Sequence, residues 1–122
     1  MRFTQDLTSG VNVIRAYAPG EIRINTQQIR GSVIVTATAV LIEPTLVSVA
    51  DLSDELATRI LGLSPELVLV GTGLQQTFPV AAFGAKFMRA GVGYEVMNTG
   101  AACRTFNVLV AEQRLALAVL IV

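Results

Sequence analysis

Two short segments rich in glycine and threonine carry the polar residues best suited to chemistry. They are GTGLQQTFP at 71–79 and NTGAAC at 98–103, and each follows an apolar run typical of a buried strand and precedes a run typical of a helix. Helix amino termini offer free N–H groups and partial positive charge to a carboxylate or phosphate, and glycine permits close approach. The segments therefore predict a crevice for a small anionic ligand. In the commoner alternative, the glycines only form tight turns and Thr77 caps a helix.

The hypothetical ligand-binding crevice draws on both segments and on the strand before the second one. Its residues are Gly71, Thr72, Gly73, Glu95, Asn98, Thr99, Cys103 and Arg104. Arg104 supplies the counter-charge in this hypothesis, and either Glu95 or Cys103 is the reactive group. Arg104 alternatively pairs with Glu95 or Glu112, which as carboxylates are more often solvated or salt-bridged than buried.

Cys103 is the one residue with an obvious nucleophilic atom. It lies within about a turn of the predicted helix start, where the helix dipole lowers the pKa of a thiol. The chain has no histidine to activate it, and a thiolate nucleophile usually needs a base or a cationic neighbour. A structural role at the edge of the core is therefore favoured.

Composition narrows the class of protein. The chain has 122 residues, of which 52% are hydrophobic and 15% charged, as expected for a single domain over 1–122 with one core. Nine basic and nine acidic residues cancel, so nucleic acid is not an expected partner. One cysteine and no histidine predict no metal site, no internal disulfide and no cofactor. The longest apolar run, 115–122, is shorter than the roughly 20 residues that cross a bilayer, and with no secretory signal a cytoplasmic protein is expected.

The first half of the chain, 1–50, has the alternation and turn residues of β-structure. The runs at 11–20 and 21–25 predict a hairpin around Pro19-Gly20. The run at 29–44 is rich in β-branched residues, which predicts one or two further strands with a bend near Ala37.

The second half, 51–122, predicts the order αβαβαβ. Helices are expected at 51–63, 77–91 and 98–114, and strands at 66–73, 92–97 and 115–122. The first helix has a start signal at Asp51 or Ser53, and Pro79 lies near the first turn of the second. Strands separated by helices of this length pair in parallel through right-handed crossovers. The early hairpin then extends or covers one side of the sheet.

The carboxyl-terminal half closely resembles a small α/β family of uncharacterised bacterial and archaeal proteins. The resemblance covers roughly 66–122 and rests on ELVLVGTG, GVGYEVMNTGAACRTFNVLVAEQR and the final apolar strand. That family includes the third mitochondrial assembly factor of respiratory complex I. The resemblance implies a three-layer α/β domain with a central, mixed, mostly parallel sheet. The residues that match its motifs are Gly71, Thr72, Gly73, Glu95, Thr99, Ala102, Cys103, Arg104, Thr105, Asn107 and Glu112.

Two functions follow from these observations. The favoured one is a non-enzymatic binding or assembly module whose partner is another protein or a second copy of the chain, since an open sheet leaves exposed edges. The alternative is a small-molecule binding protein or enzyme that uses the crevice between 71–79 and 98–104 for an anionic ligand. An exposed apolar surface favours the first, and a pocket shared by Arg104, Glu95 and the Gly-Thr-Gly loop favours the second.

Overall fold

The strands and helices alternate in the second half of the chain and cluster as strands in the first. The computed structural model describes residues 10–122. Its strands are β1 (Ile14–Ala18), β2 (Glu21–Ile24), β3 (Gln27–Ile29), β4 (Val33–Thr36), β5 (Val40–Ile42), β6 (Leu67–Thr72), β7 (Gly93–Met97) and β8 (Ala116–Ile121). The helices are α1 (Asp54–Leu61), α2 (Ala81–Arg89) and α3 (Thr99–Ala111), and a single 3₁₀ turn, Val49–Asp51, precedes α1.

A five-stranded sheet with the order β5-β4-β8-β6-β7 forms the centre of the fold. β6 pairs in parallel with β7 and β8, whereas β4 is antiparallel to β5 and β8. The connection from β6 to β7 and the connection from β7 to β8 therefore run in opposite directions along the sheet. Because both are expected to be right-handed, they place α2 and α3 on opposite faces of the sheet. The predicted α/β fold with a central mixed sheet is confirmed.

Alternate residues of the central strands point to two separate cores. Val33 and Val35 belong to the cluster that contains α3 and the three-stranded sheet β1-β2-β3, and Ile34 between them belongs to the cluster that contains α1 and α2. Both faces of β8 are buried in this way, which explains why its sequence is continuously apolar. The layers are α1 and α2, the central sheet, and α3 with the small sheet, so the predicted three-layer arrangement is confirmed.

The predicted β1–β2 hairpin is confirmed, with Gly20 at φ +86° in its turn. A third strand, β3, extends it into a meander. Asn25 forms the β2–β3 turn at φ +56°, and its side-chain oxygen accepts the Val13 N–H at 2.9 Å. The bend near Ala37 separates β4 from β5, as the β-rich run predicts.

Helix ends show where local sequence rules hold and where they fail. Ser53 and Asn98 cap α1 and α3 by accepting the N–H groups of Leu56 and Ala101. The start of the second helix was wrongly predicted at 77. α2 begins at Ala81 without a side-chain cap. Pro79 disfavours helical backbone at Phe78, and Val80 is still extended at ψ 143°. No helix of residues 10–122 has both the length and the apolar character needed to cross a membrane.

Candidate functional site

The Gly-Thr-Gly segment ends β6 directly against the start of α3. A Cβ built on Gly71 would lie 2.9 Å from the Thr99 Cα and 3.1 Å from the Ala102 Cβ. Any side chain at this position would therefore push the helix off the sheet. Gly73 has φ +101°, a conformation that favours glycine. Both glycines have structural reasons to be glycine.

Thr99 joins the two glycine-rich segments. Its side chain is fully buried, and its hydroxyl donates to the Ile121 carbonyl at 2.6 Å while accepting the Gly73 N–H at 2.7 Å. The Thr99 N–H in turn donates to the Gly73 carbonyl at 2.9 Å. The two segments thus meet at the carboxyl ends of parallel neighbours β6 and β7, as the sequence predicts. The polar atoms that face each other across the two segments form hydrogen bonds with one another. The binding of a ligand between the segments stays a prediction.

Thr72 fixes the loop that follows. Its hydroxyl donates to the Gln75 carbonyl at 2.7 Å and accepts the Thr77 N–H at 3.0 Å. The Gln76 amide donates to the Val96 carbonyl of β7 at 3.0 Å. One interpretation of the sequence expected Thr77 to cap α2, but α2 begins at Ala81 and its N-cap residue is Val80.

The apolar side chains of this loop face solvent. Leu74, Phe78 and Val80 are 71%, 72% and 66% exposed, and we call these three residues the 74–80 patch. A loop in water usually has the opposite pattern, with polar side chains outside. Here the polar groups tie the loop to the strand ends while the apolar groups are displayed.

Cys103 lies in the core between α3 and the small sheet. It is 7% exposed, and burial raises the pKa of its thiol from 9.0 to about 11, an effect that the nearby Arg104 only partly opposes. Desolvation therefore has a larger effect on the thiol pKa than the guanidinium of Arg104. The thiol is neutral near neutral pH, which disfavours a nucleophilic role.

Within residues 10–122, the side-chain hydrogen bonds of the Gly-Thr-Gly segment involve neither Glu95 nor Arg104. Glu95 is exposed on the edge strand β7, opposite Leu69 of β6. Arg104 is exposed on α3. Among the described residues neither one forms an ion pair, and no group of three cysteine, aspartate or glutamate side chains has the spacing of a metal site.

Two of the predicted residues line a cavity that the sequence alone did not indicate. Its volume is about 310 Å³, and it lies between β1 and the first half of α3. Its lining consists of Ile14, Arg15, Ala16, Tyr17, Gly100, Cys103, Arg104 and Asn107. The structure thus brings Cys103 and Arg104 together with β1. The other predicted residues lie outside the lining of this cavity: Gly71, Thr72, Gly73, Glu95, Asn98 and Thr99. We call it the β1–α3 cavity.

Arg15, Tyr17 and Asn107 are the polar lining residues that the crevice hypothesis did not include. Asn107 donates to the Ile14 carbonyl at 2.8 Å and accepts the Ile14 N–H at 2.9 Å, which fastens the edge of β1 to α3. The presence of Asn107 in the family motif was the one feature of the sequence that could have pointed to this residue. Nothing local in the sequence marks Arg15 or Tyr17, because their position depends on this long-range contact.

Comparisons with known proteins identify one family and several relatives. A family model described as protein of unknown function (DUF498/DUF598) matches residues 14–121. The chain is 34% identical over 119 residues to NADH dehydrogenase (ubiquinone) 1 alpha subcomplex assembly factor 3 of Danio rerio. The matched stretch covers 96% of this chain and 68% of that protein. It is 29% identical over 101 residues to the 13 kDa major membrane protein of Francisella tularensis subsp. holarctica, with 82% of each covered. The crystal structure of a Bordetella parapertussis protein matches with TM-score 0.82 at 31% identity and covers 92% of this chain and 96% of that one.

Proposed function

The chain belongs to the family of proteins of unknown function DUF498/DUF598, and from this membership we propose that it is a non-enzymatic protein-binding module of the assembly-factor kind. The resemblance noted over residues 66–122 is confirmed, and the family match extends it through most of the first half. A relative at 34% identity is named as an assembly factor, and assembly of a multisubunit enzyme requires binding to other protein chains.

The 74–80 patch is the observation that supports this function. Its three exposed apolar side chains lie within seven residues of one loop. Neighbouring exposed apolar residues mark sites of protein association more often than scattered ones do. The hydrogen bonds of Thr72 and Gln76 hold the loop in place before any partner arrives. A preorganised loop loses less conformational entropy on binding, so more of the burial energy remains as affinity.

The partner is an apolar surface of a different protein. Burying a leucine, phenylalanine or valine side chain gains about 1.5–3 kcal/mol, and the three residues of the patch are about two-thirds exposed or more. Phe78 is the largest of them and the expected centre of the contact, since aromatic residues dominate binding energy at interfaces. Replacing it with serine should weaken the complex by about 2 kcal/mol or more, a factor of about 30.

Site-specific photocrosslinking in the native host tests the proposal. A photoreactive phenylalanine analogue replaces Phe78 in one strain and Val47 in another; both native residues are 72% exposed, which makes position 47 a matched control. We expect position 78 to crosslink to one other protein, and we expect Leu74→Ser to reduce that yield. The purified partner should then bind the native chain and bind Phe78→Ser about 30-fold more weakly.

Two outcomes would contradict the proposal. Equal crosslinking at positions 47 and 78 would mean that the patch attracts proteins without selectivity. Crosslinks joining only two copies of the chain would assign the patch to a homodimer, the other partner that the sequence suggests.

We also propose a cytoplasmic location, and finding the native protein in the membrane fraction would refute that location.

A further inference from the structure

The β1–α3 cavity is positively charged. Arg15 and Arg104 both line it, and none of its lining residues is acidic. The three ion pairs of the described residues, Arg59–Glu43, Lys86–Asp54 and Arg114–Glu66, involve other side chains. No carboxylate within residues 10–122 therefore forms an ion pair with either arginine of the cavity.

The other titratable groups of the cavity do not offset this charge. Burial raises the pKa values of both Tyr17 and Cys103, and the neighbouring Cys103 raises that of Tyr17 further. Both groups are therefore uncharged near neutral pH. Two guanidinium groups face a cavity whose remaining walls are neutral.

Arg104 also lies at the unfavourable end of its own helix. A Cβ built on Gly100 would be 3.6 Å from Arg104 Nη1, so the guanidinium lies beside the first turn of α3. Cations are stabilised at helix carboxyl termini and destabilised at amino termini. An anion between the arginines would remove this repulsion.

The walls of the cavity are held in place. Both backbone polar groups of Ile14 bond to the Asn107 amide, and a register shift in the β1–β2 pairing lies between Ile14 and Ala16. Through this bulge, Ile14 and Tyr17 both pack against the core while Arg15 between them stays exposed at the rim. The fold thus places an arginine from β1 and one from α3 on the same cavity.

We propose that the β1–α3 cavity binds a small oxyanion of the carboxylate or phosphate class through Arg15 and Arg104. Guanidinium groups bind both classes in bidentate geometry. The volume of about 310 Å³ is at the lower end of ligand-binding cavities, so a compact ligand fits better than a nucleotide. This site shares no residue with the 74–80 patch, and it shares only Cys103 and Arg104 with the crevice that the sequence predicts beside the Gly-Thr-Gly segment.

Titration of the native chain with three anions tests the site. Inorganic phosphate, pyrophosphate and citrate are added separately at constant ionic strength while ¹⁵N–¹H spectra are recorded. We expect saturable shifts confined to amides of residues 14–17 and 100–107. Comparison of the phosphate compounds with citrate then shows which oxyanion group binds more tightly.

Three glutamine variants show whether the arginines carry the binding. Arg15→Gln and Arg104→Gln should each weaken binding by about tenfold or more, the value of one charge-assisted hydrogen bond. Arg89→Gln is the matched control, because Arg89 is exposed, forms no ion pair among the described residues and is absent from the cavity. Overlay of the spectra without anion shows that each variant is folded.

The proposal fails if no anion causes saturable shifts at millimolar concentration. It also fails if Arg104→Gln and Arg89→Gln bind equally well, because the effect would then be general charge screening. Neither failure bears on the protein-binding proposal, which rests on a different loop and is measured by crosslinking.

Discussion

Thr99→Val is expected to destabilise the protein by about 2–4 kcal/mol. Valine has nearly the shape of threonine but lacks the hydroxyl that accepts the Gly73 N–H and donates to the Ile121 carbonyl. Leaving a buried donor or acceptor unpaired costs about 1–3 kcal/mol. The Ile121 carbonyl belongs to a buried residue and should incur most of that cost, whereas Gly73 is half-buried and recovers part of it from water.

Urea unfolding followed by far-ultraviolet circular dichroism measures this loss, with the free energy of unfolding extrapolated linearly to water. Thr99→Ser is the matched control, because it keeps the hydroxyl and removes one buried methyl group at about 1 kcal/mol. The valine variant should therefore be clearly less stable than the serine variant. If serine is as destabilising as valine, the methyl group and not the hydroxyl is what Thr99 contributes, and our account of this residue is wrong.

Three further perturbations test the same region. Gly71→Ala should cost about 1–3 kcal/mol of unfolding free energy, because its Cβ overpacks against Thr99. Gly100→Ala should be neutral or stabilising by up to about 1 kcal/mol, because its Cβ meets nothing closer than 3.5 Å. Equal unfolding free energies of the two variants would contradict the packing argument. The folded Cys103 thiol keeps its proton above pH 9, where the unfolded thiol loses it, so stability falls as pH rises from about 9 to about 11. Relative to Cys103→Ala, we expect a loss of about 1 kcal/mol at pH 10, and parallel pH profiles of the two proteins would refute it. Asn107→Ala should speed amide exchange across β1, because both bonds to Ile14 are lost; unchanged protection there would mean that other contacts hold the strand.

The sequence predicts the parts of this fold that local periodicity and caps specify. Continuous apolar runs identify β6 and β8 as buried strands, and Asn98 begins α3 where its side chain caps the helix. β3 was missed because Gln27 and Gln28 do not show the alternation of apolar and polar residues that indicates a strand. An edge strand of a small sheet needs little of this alternation, because it buries few side chains. The predicted start of α2 was wrong because a proline can lie in the first turn of a helix or before it. The sequence does not show that Val80 is extended, which delays the helix to Ala81.

The candidate cavity depends on information that no local pattern contains. Asn107 contacts Ile14 across a sequence separation of 93 residues, so the packing of β1 on α3 must be known before Arg15 and Arg104 can be placed together. The bulge in β1 adds to the difficulty, since simple alternation from Ile14 puts Ala16 and not Tyr17 toward the core. The sequence singles out Arg104 as a candidate but cannot supply its neighbours.

The Thr99 hydrogen bonds connect both proposed binding surfaces. On one side they hold Gly73, from which the 74–80 patch extends, and on the other they fix the first turn of α3, beside which the Arg104 guanidinium lies. Thr99→Val should therefore weaken both binding of the purified partner and anion binding, whereas Phe78→Ser should affect only the first and Arg104→Gln only the second. Measuring both readouts in all three variants separates a shared scaffold from a shared site. Loss of anion binding in Phe78→Ser would show that the loop itself contributes to the cavity, which contradicts the separation of the two surfaces.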